Sequence, residues 1–221
     1  MAAVRAAAEV RAARLPQGAS RTAQFARTLR EASSGLPEAD TALARAAARS
    51  LLGADCEDPA EGRGRADSAG RWHPGREDGP RHLTVSCLAV SPDLSALVLV
   101  DHPGSGQLRQ PGGHIENGDA DLRGAALREL AEECGAQAAA SAEVPPVPLA
   151  VRVFRVGTQR CAEHLDVLYA AVLPESAPLA GEGRAVRVRA SQLPARTAPD
   201  LLTGAEALLR RLRTLRAPSI E

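Results

Sequence analysis

The sequence predicts a mixed α/β fold, and three stretches carry that expectation. Leu83, Val85, Cys87 and Ala89 alternate with Thr84 and Ser86, which is the period-two pattern of a half-buried strand. Residues 96–100 (Ala-Leu-Val-Leu-Val) are uniformly apolar, as expected of a central strand buried on both faces. Beyond Pro111-Gly112-Gly113, the run ending in Gly135 places apolar and acidic residues on opposite sides of a helix.

Taken in order, residues 1–52 are rich in Ala and Arg. Phe25 and Leu29, and later Leu43, Ala46, Ala47 and Leu51, recur at helical spacing, predicting two or three short helices. This N-terminal helical extension packs on the main domain or on a partner chain, and a homodimer is one arrangement open to it. Residues 53–80 turn to Gly, Asp, Glu, Arg and Pro with few apolar residues, the composition of a flexible linker. Trp72 within it reads as a loop anchor or as a lid. The main domain then spans residues 81–216. Ser91-Pro92-Asp93-Leu94 turns the first two strands into a hairpin. After the glutamate helix, residues 136–148 read as an Ala/Pro loop, with strands at 149–156, 164–173 and 185–188. Asp200 is placed to cap a last helix in which Leu202, Ala205, Leu208, Leu209, Leu212 and Leu215 recur at helical spacing.

Composition narrows the function. The 27 basic residues, every one of them Arg, balance 27 acidic ones, which argues against wholesale attraction to nucleic acid or an anionic membrane. Residues 1–50 carry a local surplus of Arg but no interleaved aromatic residues to stack on bases. Cys56, Cys87, Cys134 and Cys161 lie far apart without a C-x-x-C pair, so local spacing suggests neither a zinc site nor a disulfide framework. No apolar run reaches the roughly 18 residues needed to span a bilayer, and Arg5, Glu9 and Arg11 interrupt any signal-peptide core. The expectation is a cytoplasmic protein.

The chemistry concentrates in one helix. Glu129, Glu132 and Glu133 stand at i, i+3 and i+4 and project together, while Leu127, Leu130, Ala131 and Cys134 fall on nearly the opposite side. Such close carboxylates repel one another by on the order of 1 kcal/mol per pair even in water, so a cation is expected among them. Hard oxygen donors without Cys or His suit Mg²⁺ or Mn²⁺. E-x-x-E-E also occurs on plain solvated helix faces; the Gly112-Gly113 turn before it, which lets backbone approach a ligand closely, favours the metal reading. Arg128 can pair with a carboxylate, and Gly135 is suited to ending the helix.

The stretch from Gly113 to Gly135 resembles the Nudix box, which reads Gly, five residues, Glu, seven residues, Arg-Glu, an apolar residue, any residue, Glu-Glu, any residue, Gly. Arg128, Glu129, Leu130, Glu132, Glu133 and Gly135 match in full. Asp119 stands in place of the first Glu, and eight residues instead of seven precede Arg128. Either the loop bulges by one residue, the reading preferred here, or Asp119 caps the helix. The resemblance implies a Nudix-type mixed sheet sandwiched between helices and divalent-metal-dependent hydrolysis of a nucleoside diphosphate linked to another group. It further implies that Glu129, Glu132 and Glu133 are metal ligands, joined by the Gly112 carbonyl, with Arg128 orienting a glutamate. A nearby carboxylate takes the proton of the attacking water, and the family does not fix which one.

Glu182, ahead of Val186-Arg187-Val188 and Ser191-Gln192-Leu193-Pro194, resembles an acidic loop residue of the family's late segment, a metal ligand or base; an ordinary loop glutamate is the other reading. His164 and Asp166 share one strand face and either line the cleft or are simple polar-face residues. Gly113, Arg109 and His164 are candidate substrate contacts, with Arg152 and Arg155 further candidates for phosphate. Base stacking has few candidates: Tyr169, Phe154 and Trp72. The Ser-Gln-Pro-Trp-Pro-Phe motif of members acting on the reduced dinucleotide is absent. The competing function is a nucleotide-binding regulatory module that keeps the fold without turnover.

Overall fold

The computed structural model describes residues 20–33, 35–53 and 70–216. The first 19 residues, most of the expected linker and Cys56 lie outside them. Helices α1 (Arg21–Ser33) and α2 (Glu38–Leu51) come first, followed by strands β1 (Arg81–Val90), β2 (Ala96–Asp101), β3 (Leu108–Arg109) and β4 (Gly112–His114). Next come α3 (Leu122–Cys134), α4 (Ala136–Ser141), β5 (Ala150–Arg155), β6 (Glu163–Val172), β7 (Val186–Arg189) and α5 (Pro199–Arg216).

The strands form one seven-stranded mixed sheet in the order β3-β2-β1-β6-β5, with β4 pairing β1 and β7 pairing β2. Its spine is the parallel pair β1–β6, in register from Arg81 opposite Glu163 to Val90 opposite Val172. The neighbouring pairs are antiparallel.

Each face has its own helical layer. On one face Leu83, Val85, Cys87, Leu165, Val167 and Tyr169 are buried with Phe25, Ala26 and Leu29 of α1, Ala44, Ala47, Ala48 and Leu51 of α2, and Leu122, Ala125, Ala126 and Leu130 of α3. On the other, Leu88, Val90, Leu97, Leu99, Leu168 and Ala170 pack against Leu201, Ala205, Leu209 and Leu212 of α5. The period-two stretch of β1 is therefore not half-solvated: apart from Arg81 the strand is buried throughout. Its outward positions change character along the strand, from His82, Thr84 and Ser86 to Leu88 and Val90. Helix α5 covers the apolar end, while the polar end is closed by side chains of β4, β5 and β6. Strand β2 is buried on both faces, as its composition predicts.

The N-terminal helices are built into the same core as the sheet. Phe25 and Leu29 are wholly buried, each such side chain contributing about 1.5–3 kcal/mol of hydrophobic stabilisation. The backbone N–H of Val151 on β5 donates to Asp40 of α2 at 3.2 Å. Trp72 is an anchor: only 6% exposed, it sits in this core with its backbone N–H on Ser50 Oγ at 2.9 Å and the Arg81 guanidinium 4.4 Å from its ring.

Two local expectations are corrected. Ala136–Ser141 is a short helix and not a loop, because an Ala-rich run has strong helix propensity and Gly135, at φ 107°, lets the chain break and restart. Helix α5 begins at Pro199, favoured at a first helical position, so Asp200 falls inside the first turn and pairs with Arg152 at 3.2 Å. Among the described residues no helix is long and apolar enough to cross a membrane.

Candidate active site

The site grows from β4 and α3. Asp121 caps α3, its carboxylate accepting the Gly124 N–H at 2.7 Å. Asp119 does not cap. It is almost wholly buried and accepts from Arg128 through both oxygens, Nε at 3.0 Å and Nη2 at 2.9 Å, and from the Glu116 N–H at 2.8 Å. The same guanidinium reaches Glu129 at 2.8 Å, Glu132 at 3.1 Å and the carbonyl of His114 at 2.9 Å. One cation thus hydrogen-bonds three carboxylates, with Glu116 a fourth at 4.0 Å, and fixes the β4 turn on the helix, and these bonds, that to Asp119 foremost, hold its proton tightly.

The three glutamates differ in environment. Glu129 is largely buried and burial pushes its carboxyl up to about 7 against the pull of Arg128, with Glu132 and Glu133 adding to the rise. Glu133 is raised by burial too, opposed by the Gly112 N–H, which donates to it at 2.8 Å. Glu132 is more open, its side chain 49% exposed. A Cβ on Gly112 would lie 2.5 Å from the Val85 carbonyl oxygen, a backbone atom with no room to give, and one on Gly113 would push aside the Glu129 carboxylate, 2.6 Å away. Carboxylates crowded past the capacity of their one arginine form a hard oxygen donor set that matches a divalent cation.

Glu182 is exposed, on a loop bound to the end of α3: its N–H donates to the Glu132 carbonyl at 2.8 Å, and that of Gly183 to the Glu133 carbonyl at 3.1 Å. A cleft of about 510 Å³ opens beside Gly113, His114, Glu116 and Glu129. Its lining also includes Arg21 of α1, which donates to the Glu116 carbonyl at 2.8 Å and pairs with Asp78 at 3.4 Å, and Arg76, which pairs with Glu77 at 3.7 Å. Neither arginine stands out in the sequence, where so many are scattered.

Other candidates lie elsewhere. Arg109 sits on β3 and donates to Gln107 at 2.9 Å. Arg152 is committed to Asp166 and Asp200, at 2.9 and 3.2 Å, and Arg155 is nearly fully exposed. Tyr169 and Trp72 are consumed by the core and cannot stack on a base, leaving Phe154, which is half-buried beneath Arg152 at 4.9 Å. His164 and Asp166 are on one face as expected, but not as solvated polar residues. Asp166 accepts from Ser86 at 2.7 Å, Arg152 at 2.9 Å and Thr84 at 3.3 Å. His164 meets His82 and His114, with ring centroids 4.8 and 5.1 Å away, and Cys161 Sγ is 3.6 Å from His114 Nε2. Burial and the neighbouring imidazoles lower His114 and His164 to about 4. No local spacing signals this cluster, since three strands and a loop supply it.

A family profile described as NUDIX domain matches residues 80–211. No curated protein matches the chain. Among solved structures, a NUDIX-family hydrolase from Clostridium perfringens is 21% identical, with 60% of this chain and 98% of that one covered and a TM-score of 0.46. The NUDIX domain of Shewanella oneidensis NrtR, complexed with ADP ribose, is 22% identical over 70% of this chain and 100% of that one, also at a TM-score of 0.46. The E. coli dihydroneopterin triphosphate pyrophosphohydrolase is 14% identical over 58% and 92% of the two chains, again with a TM-score of 0.46. With the box helix in place and the family profile spanning the whole sheet, α3 and most of α5, the chain belongs to the Nudix family of pyrophosphohydrolases.

Proposed function

We propose that the chain is a cytoplasmic enzyme that hydrolyses the pyrophosphate bond of a nucleoside diphosphate linked to another group, with Mg²⁺ or Mn²⁺ at Glu129, Glu132 and Glu133 and the Gly112 carbonyl as a further ligand. The observation that carries this reading is the charge imbalance at the turn. Arg128 is shared among Asp119, Glu129 and Glu132, and Glu133 has only a backbone N–H. Bound there, a divalent ion supplies Lewis acidity toward phosphate oxygens and toward an attacking water.

The chain's own residues do the positioning. Arg128 locks the helix face to the β4 turn, and the Gly112 N–H fixes the orientation of Glu133. Arg21 and Arg76 line the same cleft as Glu129, and in this reading they leave Asp78 and Glu77 to hold pyrophosphate oxygens. Glu182, exposed and tethered through backbone bonds beside Glu132, is the carboxylate we assign to take the proton of the attacking water.

The test is a panel of nucleoside triphosphates, dinucleotides and nucleoside diphosphate sugars, ADP-ribose among them, incubated with Mg²⁺ and scored for nucleoside monophosphate and phosphate release. The wild type turns over at least one of them, and Glu133→Gln lowers kcat by on the order of 100-fold or more. A folded wild type that binds a panel member tightly and hydrolyses none would instead identify a regulatory module.

A further inference from the structure

On the sheet face opposite the glutamates, three imidazoles and a thiol converge. His82 comes from β1, His114 from β4, His164 from β6 and Cys161 from the turn between β5 and β6. One ligand atom from each lies within 4.8 Å of every other. Parallel pairing sets His82 opposite His164, and antiparallel pairing sets His114 opposite Thr84, so the three rings share one face. The centroid separations of 4.8 to 5.2 Å leave a space between the rings, not a stack.

We propose that His82, His114, His164 and Cys161 form a tetrahedral site for one Zn²⁺ ion, separate from the carboxylate site on the box helix. The ring of His82 is already oriented for it. Wholly buried, it donates its Nδ1–H to the Gly79 carbonyl at 2.8 Å, leaving the Nε2 lone pair free. That is the hydrogen-bonding pattern which fixes the tautomer of metal-bound histidines. His82 Nε2 and His164 Nε2 are both buried without a hydrogen-bond partner, a cost that a cation at the centre removes. Asp166, two residues from His164, is not a competing ligand, because Ser86, Thr84 and Arg152 occupy its oxygens.

The donor chemistry selects the ion. Three imidazole nitrogens and one sulfur suit Zn²⁺ and not Mg²⁺, which demands oxygen. Tetrahedral Zn²⁺ with bonds of about 2.0–2.3 Å needs ligand atoms roughly 3.4 Å apart, so the cluster contracts slightly around the ion. Binding releases one proton, from the Cys161 thiol, and leaves a zinc–thiolate centre carrying one net positive charge. All four ligand positions are filled by protein, so the ion acts as a clamp. It ties the β5–β6 turn to β1 and β4, and through His114 it steadies the backbone that Arg128 grips.

The experiment uses the full chain, stripped with chelator and titrated with Co²⁺, then Zn²⁺, in excess Mg²⁺. One Co²⁺ per chain is expected, with tetrahedral d–d bands and a thiolate-to-cobalt charge-transfer band, displaced by one equivalent of Zn²⁺. Cys161→Ser, a conservative change on a turn, loses the charge-transfer band. His164→Ala weakens Zn²⁺ binding by on the order of 100-fold or more. Glu133→Gln retains both the band and the affinity, so the result does not depend on the hydrolase reading. Three results overturn the proposal: a folded wild type that binds neither ion at micromolar concentration, a charge-transfer band that survives Cys161→Ser, or Zn²⁺ binding that disappears in Glu133→Gln.

Discussion

Arg128 shows how much one side chain can be asked to do. Its planar fork donates to Asp119, Glu129, Glu132 and the His114 carbonyl at once, which the compact ammonium of lysine cannot reproduce. Arg128→Lys keeps the charge and loses the geometry. We expect a stability loss of about 1–3 kcal/mol by urea denaturation and a fall in kcat/KM of roughly tenfold or more. Glu129 gives a pH signature. Its folded-state carboxyl stands at about 7 against an ordinary 4.5, so the stability it contributes is fully present below pH 4.5 and is lost as pH rises through 7. Without divalent ions, the difference in unfolding free energy between Glu129→Gln and wild type should therefore shift in the variant's favour across that window. A gap that stays constant with pH would show that Glu129 titrates normally.

At the scale of elements, sequence periodicity reached a long way. The alternation at 83–89, the apolar run at 96–100 and the glutamate helix each correspond to an observed element, and Arg128 to Gly135 lie on α3 and its cap. Two-residue β3 and three-residue β4 carry too little pattern to register. The solvent exposure expected for Thr84 and Ser86 failed for a physical reason: Asp166 and Arg152, brought from β6 and β5, satisfy their hydroxyl face without water. Helices α1 and α2 were legible as helices, but their burial depends on which surface they meet. Phe25→Ala tests this directly. If α1 were a loosely attached arm the change would be nearly neutral, whereas a wholly buried ring in the shared core costs about 3–5 kcal/mol, read from urea or thermal unfolding.

For the whole molecule, what sequence could reveal was what is local in the chain. The box is one continuous stretch, so its carboxylate face could be read directly. The histidine–cysteine cluster and the Arg21–Arg76 lining are assembled from segments far apart, and each residue by itself looked ordinary. The aromatic candidates illustrate the converse: Tyr169 and Trp72 were chemically suited to a base, and packing took them first.

The parallel pairing of β1 with β6 also shapes how the chain reaches this state. Arg81 and Glu163, joined at one end of that pair at 2.8 Å, are 82 residues apart, and the intervening segment carries the box itself. Closing so long a loop costs entropy before its contacts are gained, which places this sheet among the slower topologies. During synthesis, β1 emerges with His82, Thr84 and Ser86 lacking the strand that completes them. The carboxylate helix can meet β1 and β4 as soon as it is made, but the strand it rests on is paired along its length only once β6, ending at residue 172, has followed.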